Sequence, residues 1–294
     1  MVSVTGDQAD GLRRIAAARP VKTIAITGGK GGVGKTTIAI NLGSALAESG
    51  RSCMLLDADL GLANVDVMLG VRARLNLEHV VAGECALSDI VVTAPTGLRI
   101  VPASTGNFEM ATLSPAHHAG VIGAFSELLD PVDVLLVDTA AGIGESVMAY
   151  TAASQFVIVA VCDDPASITD AYGLIKTLRR RQPDVRIQIV ANLVESLAQG
   201  RALYDKLARV TDRFLHFVPQ YLGSIPQDDY LRRAVQAQRA VVEQFPWSSS
   251  ASAFKKLAMA ADNWSTSGLP RGGIEFFVDR LLRTGSQRTE SSLQ

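Results

Sequence analysis

The run Gly29-Lys30-Gly31-Gly32-Val33-Gly34-Lys35-Thr36-Thr37 constrains this chain more than any other stretch. It reads G-x-x-x-x-G-K-T, the pattern of a loop whose backbone N–H groups cradle phosphates. Before it lies Thr23-Ile24-Ala25-Ile26-Thr27, an apolar and β-branched run suited to a buried strand. After it, Thr36 to Ala47 follows a helical pattern. Strand, glycine loop and helix together aim N–H groups and the positive end of a helix at an anion. Gly29, Gly31, Gly32 and Gly34 let the backbone turn and approach the phosphates closely, with Val33 between them. Lys35 is expected at the β- and γ-phosphates, Thr36 on Mg²⁺ and Thr37 at the α-phosphate. Lys30 is a second lysine that the plain motif does not require.

The rest of the chain reads as the body such a loop needs. Apolar runs at Thr23–Thr27, Ser52–Leu56, Leu98–Val101, Val132–Val137, Phe156–Val161 and Arg186–Val190, with a shorter one near Gln220–Gly223, are dense in Val, Ile and Leu. Such runs suit strands buried on both faces of a parallel sheet. Helical patterns between them give the expected fold class: α/β, a doubly wound, mostly parallel sheet with helices on both faces. Ser167-Ile168-Thr169-Asp170 reads as a capping box opening a helix through Arg181, and Ser114-Pro115 as another helix start. Hydrophobic residues make up 48% and charged residues 19%, so a large core is available. The net charge of −1 supplies no global pull toward nucleic acid, and no specific nucleic-acid partner is expected.

Two strands should end in carboxylates, at Asp57-Ala58-Asp59 and at Asp138-Thr139. The C-terminal strand ends of an open α/β sheet are where its ligand sits. Asp138 is expected near Mg²⁺, as the second motif of phosphate-loop proteins requires. Asp57 is expected near the metal shell. Asp59 is expected to orient the attacking water, making Lys30, Lys35 and Asp59 the catalytic set. Asn192, read as following a strand, offers an amide to adenine's edge. Pro226 and Gln227, within Gly223–Asp228, are expected to form the other wall of the base pocket.

Three stretches together resemble one family: Lys30–Thr37, Asp57-Ala58-Asp59-Leu60-Gly61-Leu62-Ala63-Asn64-Val65-Asp66, and Asp138-Thr139-Ala140-Ala141-Gly142-Ile143. They look like the deviant Walker A ATPases of the MinD/ParA group. The resemblance spans roughly residues 22–261. It implies ATP and Mg²⁺ as ligands, slow hydrolysis, and an ATP-dependent homodimer in which Lys30 crosses to the partner's nucleotide. Asp7 to Ile15 resembles the D-Q-A-x-x-L-R element of the flagellar-number regulators of the FlhG (FleN) family, as does Asp163 to Tyr172. That resemblance implies a partner-activating segment over residues 1–20, acting through residues 7–15 on a GTPase of the FlhF type, and a flagellar transcription regulator as a further partner. A MinD- or ParA-type role in division or partition is the alternative.

The expected organisation is therefore segment 1–20, an ATPase domain over 21–264, and a linker, amphipathic helix and polar tail over 265–294. In the last, Ile274, Phe277, Val278, Leu281 and Leu282 share one helical face. Residues 274–283 could lie on the inner face of a membrane, dock on the domain itself or bind a partner. The first 20 residues lack the apolar stretch of a secretory signal, and no apolar run reaches the roughly 18–20 residues of a membrane span. A cytoplasmic location is expected, peripheral at the membrane if the helix binds lipid. Cys53, Cys85 and Cys162 form no C-x-x-C pair and read as reduced small hydrophobes. His117-His118 has no cysteine or third histidine nearby to complete a metal site.

Overall fold

The computed structural model describes residues 21–59, 65–71, 73–102, 123–125, 131–266, 274 and 277–281. The expected helix start at Ser114-Pro115, the pair His117-His118 and the element at residues 7–15 lie outside these.

The strands are β1 (Lys22–Thr27), β2 (Cys53–Ala58), β3 (Val92–Thr93), β4 (Arg99–Val101), β5 (Val134–Thr139), β6 (Phe156–Val161), β7 (Arg186–Val194) and β8 (Gln220–Pro226). They form one sheet in the order β3-β4-β2-β5-β1-β6-β7-β8. Every pair is parallel except β3 with β4, which is antiparallel at the edge. β1, β2, β5 and β6 are buried at every position. Their near-continuous aliphatic runs thus have the burial that such runs demand. The described helices of eight residues or more are α1 (Lys35–Glu48), α2 (Glu145–Ala153), α3 (Pro165–Arg181), α4 (Leu197–Leu215), α5 (Asp229–Gln236) and α6 (Ser249–Asp262).

Four elements differ from the sequence reading. β7 runs to Val194 and β8 to Pro226, so Asn192 and Pro226 lie within strands rather than after them. The two-residue β3 carries too little pattern to be read from sequence. Helix α3 starts before Ser167: Asp164 is its N-cap and accepts from the Ser167 N–H at 2.8 Å, with Pro165 at the first helical position. An Asp-Pro pair stops the preceding chain and pre-sets the helix, which outweighs the capping box two residues on.

The core divides by face. On one face α1 and α6 pack over Ile24, Ile26, Leu55, Leu136 and Ile158. On the other, α3 and α4 cover Val157, Val159, Ile187 and Ile189. That leaves the outward side chains of β2 and β5, namely Met54, Leu56, Leu135 and Val137. They are covered by α2 and by Ile274, Phe277, Val278 and Leu281. Those last four residues are all nearly inaccessible, at 5%, 1%, 1% and 1%. Arg280 also donates to the Ala152 carbonyl. Of the three fates open to the C-terminal helix, this structure shows the domain's own surface. Lipid contact through the same stripe requires it to leave that site. No helix among the described residues is long and apolar enough to cross a membrane.

Phe277→Glu is expected to lower the unfolding free energy by about 3 kcal/mol or more, because it removes a buried ring and puts a charge among aliphatic side chains. Phe277→Leu should cost less than half of that. Urea denaturation measures both. Equal midpoints for Phe277→Glu and the parent would mean that the helix contributes nothing to the folded domain.

Candidate nucleotide site

All the parallel strands point the same way, so the loops after β1, β2, β5, β6, β7 and β8 share one rim. β1 lies between β5 and β6, where the chain order reverses across the sheet. That is the switch point at which open α/β sheets place ligands.

The loop after β1 is built as an anion cradle. Helix α1 begins at Lys35 behind Gly34, whose φ is 85°, and no side chain caps it. Helices α3, α4, α5 and α6 are capped by Asp164, Ser196, Asp228 and Ser248, while α2, behind Gly144, is uncapped like α1. The first N–H groups of α1 are therefore left for an outside acceptor. Gly34 is required twice over. Its φ is left-handed, and a Cβ there would lie 2.3 Å from Asn192 Nδ2. Gly29 is required by packing, since its Cβ would stand 2.3 Å from the Asp170 carbonyl carbon on α3.

The carboxylates converge beside this cradle. Asp57 on β2 and Asp138 on β5 are register partners on neighbouring strands. Asp138 is 1% exposed, and its Oδ1 has no hydrogen-bond partner among the described residues. Burial pushes its pKa up to about 7, the Thr36 hydroxyl and Lys35 ammonium pull it down, and Asp57 and Asp59 push it up again. A buried carboxylate beside Thr36, with an oxygen unpartnered, fits the expected Mg²⁺-side pair. Asp57 does something the sequence reading lacked. Its Oδ1 accepts from the Asp59 N–H at 3.2 Å and its Oδ2 from the Val65 N–H at 3.4 Å, tying the end of β2 to Val65. Asp59 itself stands just beyond β2, half-exposed.

On β7, Asn192 donates through Nδ2 to the Val33 carbonyl at 2.8 Å. This ties β7 to the phosphate loop and fixes the amide's orientation, which leaves Oδ1 buried and unpartnered. An acceptor held there matches an N–H donor such as adenine's exocyclic amine. Asn192 pairs with Ile225, Pro226 pairs with Val194, and the Gln227 N–H donates to the Val194 carbonyl at 2.8 Å, so the three expected base-pocket residues lie on or just after the neighbouring strands β7 and β8. Asp228 then takes the hydroxyl and N–H of Ser250 and anchors this corner to α6.

The two lysines part company. Lys35 is buried, at 8% exposure. Lys30 reaches Asp164 Oδ1 at 2.8 Å, with the two side chains 36% and 39% exposed. That hydrogen bond raises the Lys30 pKa and holds the Asp164 carboxyl below its ordinary value. Asp164 is the residue sequence reasoning passed over as a site residue; an Asp ahead of Pro165 at a strand end was the signal. Cys162, half-buried beside Val33, has its thiol pKa raised by burial. Burial pushes the Cys53 thiol up to about 12, and all three cysteines are free. No group of three or more metal-ligating side chains occurs among the described residues.

The raised Asp138 pKa gives the site a pH signature. The folded state holds this proton more tightly than the unfolded chain, between about pH 4 and about pH 7. Stability therefore falls as pH rises through that window, and the deficit is complete above it. Asp138→Asn is expected to raise the thermal midpoint of nucleotide-free protein by several degrees at pH 8 and by little at pH 5, while removing Mg²⁺-dependent turnover. Scanning calorimetry at the two pH values checks it, and an identical shift at both would remove the carboxylate as the source.

Comparison with known proteins agrees with this geometry. Residues 24–241 match the CobQ/CobB/MinD/ParA nucleotide binding domain. The chain is 52% identical over 94% of its length to the antiactivator FleN of Pseudomonas aeruginosa, covering 99% of that protein. It is 33% identical to the flagellum site-determining protein YlxH of Helicobacter pylori, over 89% of this chain and 90% of that one. Among solved structures, the septum site-determining protein MinD of Pyrococcus horikoshii, complexed with Mg-ADP, superposes with a TM-score of 0.65 at 25% identity, covering 83% of this chain and 96% of the other. The chain thus belongs to the MinD/ParA group of P-loop ATPases, in the branch of the FleN/FlhG flagellar-number regulators.

Proposed function

We propose that this protein is an ATP-driven dimerisation switch that regulates flagellar number and placement. The flagellar assignment is supported by its similarity to proteins named for antiactivation and for flagellum site determination. ATP is the substrate: the loop amides and Lys35 hold its phosphates, Thr36 and Asp138 hold Mg²⁺, and Asn192 Oδ1 meets the adenine amine. Held by these residues, Mg²⁺ would supply neutralisation of the phosphate charge. Asp59 orients the attacking water, and the Asp57 carboxylate, accepting from the Asp59 N–H, holds it in place.

One observation carries the switch. The cradle holds one buried lysine, Lys35, while the other lysine is turned away to Asp164 of the same chain. A lysine in that posture can be exchanged between an internal carboxylate and the phosphates of a second copy. Hydrolysis in the dimer then removes the charge that drew Lys30 across, and the subunits part. In this reading residues 7–15 stimulate an FlhF-type GTPase, and a flagellar transcription regulator responds to nucleotide state. The protein acts in the cytoplasm, and release of the docked residues 274–281 would give the dimer two membrane-binding helices, each weak alone and strong as a pair.

Size-exclusion chromatography and turnover assays with ATP test the switch. Lys35→Ala should lose nucleotide. Lys30→Ala should bind ATP yet dimerise poorly and turn over roughly 100-fold more slowly, as loss of a transition-state charge partner does. Asp164→Asn keeps a good helix N-cap but weakens the hold on Lys30, so its ATP dimer should form at lower protein concentration. An unchanged dimer with full turnover in Lys30→Ala would sink the exchange.

A peptide of residues 1–20 should stimulate an FlhF-type GTPase, and Gln8→Ala or Arg13→Ala should weaken that effect. Absence of stimulation by both the peptide and the whole protein would end the partner-activating reading.

A further inference from the structure

A cleft of about 420 Å³ opens at the pole of the sheet opposite the nucleotide site. Phe156, Arg186 and Gln220, which line it, are the first residues of the neighbouring strands β6, β7 and β8. Phe217 and Val218, just ahead of β8, and Trp264, just beyond α6, complete its apolar lining. The Trp264 ring stacks on Phe156 at 4.7 Å yet is only half-buried, and Val218 is 52% exposed. The polar side chains of the lining are already engaged. Arg186 donates to the Ser265 carbonyl at 2.7 Å and lies over the Phe156 ring. Gln188 donates to Gln220 Oε1 at 2.6 Å, and Asn263 to the Met259 carbonyl at 2.9 Å. What the cleft leaves open to an occupant is aromatic and aliphatic surface, which apolar side chains would cover.

The chain itself supplies such side chains close by. β1 enters the sheet at Lys22, at this same pole, because β1, β6 and β7 run parallel. β7, at the middle of the cleft, is two strand spacings from β1, or roughly 10 Å. Residues 1–20 precede that entry, and Leu12 and Ile15 are the large aliphatic residues nearest to it in sequence. Residues 12–21 span about 15 Å as a helix and about 33 Å extended, so either form reaches the cleft. A spacing of three also lets one helical turn present both side chains on the same side. A tethered segment meets the cleft at an effective concentration of about millimolar, which a free partner rarely matches.

We propose that residues 1–20 dock on this cleft within the same chain, with Leu12 and Ile15 covering Phe156, Val218 and Trp264. The docking site is at the opposite pole from the nucleotide rim, so the two do not compete for the same surface. On the reading of residues 7–15 as a partner-activating element, docking keeps that element covered until a GTPase competes for the same leucine and isoleucine.

Trypsin cleavage after Arg13 and Arg14 in the whole chain reads the docked state. Val218→Asp puts a charge on the cleft at an exposed position, so its thermal midpoint should stay near the parent's. Its cleavage should be about tenfold faster, the protection that burial of one leucine-sized side chain provides. A second variant leaves the cleft intact: Leu12→Ser with Ile15→Ser, in a Trp247→Phe background. Trp247 is 71% exposed, and its replacement leaves Trp264 as the only tryptophan. Against that background, Trp264 emission should move to longer wavelength as the uncovered ring meets water. Equal cleavage rates in the parent and a folded Val218→Asp overturn the proposal, and so does unchanged Trp264 emission. Protection that vanishes on dilution overturns it too, because the occupant would then belong to a second copy. Neither readout involves a GTPase, so the docking and the activating role fail separately.

Discussion

Strand β1 lies in the middle of the sheet between β5 and β6, buried at all six positions, and the site is positioned from it. A strand so enclosed has no freedom to tilt, and the glycine loop that leaves its end inherits that rigidity. The loop is then pinned from two further sides. Asn192 takes the Val33 carbonyl, and the Gly142 N–H bonds the Gly28 carbonyl at 2.9 Å. Catalysis by positioning needs this kind of preorganisation, because phosphoryl transfer asks the protein for placement and charge more than for covalent chemistry.

The same enclosure makes the site electrostatically uncomfortable without its ligands. Asp57, Asp59 and Asp138 crowd one edge of the cradle, and burial, with the charges of Asp57 and Asp59 adding to it, pushes the Asp138 pKa up to about 7. The bare fold holds a carboxylate with an unpartnered oxygen and a helix without a cap. A metal ion and a polyphosphate bound here would resolve both, the first by its charge and the second by accepting the free N–H groups. Lys30 and Asp164 answer a different need. Their ion pair is half-exposed and screened, so it is weak enough to be exchanged.

Behind the site, the face of β2 and β5 shows how the chain closes its core. The stripe of Ile274, Phe277, Val278 and Leu281 covers Met54, Leu56, Leu135 and Val137. The strands that end in Asp57 and Asp138 are thus backed by a segment from the far end of the chain. Any process that drew that segment away would expose the underside of the strands that end in Asp57 and Asp138.

Much of this was legible in the residues themselves. The phosphate loop, the aspartates at strand ends and the alternation of aliphatic runs with helical patterns follow from local chemistry, since each needs only its own neighbours to be recognised. The β2 and β5 runs require burial on both faces, and the glycines at 29 and 34 require close approach, whatever surrounds them. What tertiary structure alone decided are the pairings between distant segments. Nothing near Lys30 says that its partner is Asp164, nothing near Asn192 says that its amide faces Val33, and nothing in 274–281 says whether its apolar face meets lipid or the sheet. Amphipathicity records that a surface must be covered, while the cover is chosen by which face the folded sheet leaves open. The left-handed bend at Leu193 belongs to the same class, because a leucine does not take that conformation on its own account, and the register of β7 against β8 puts it there.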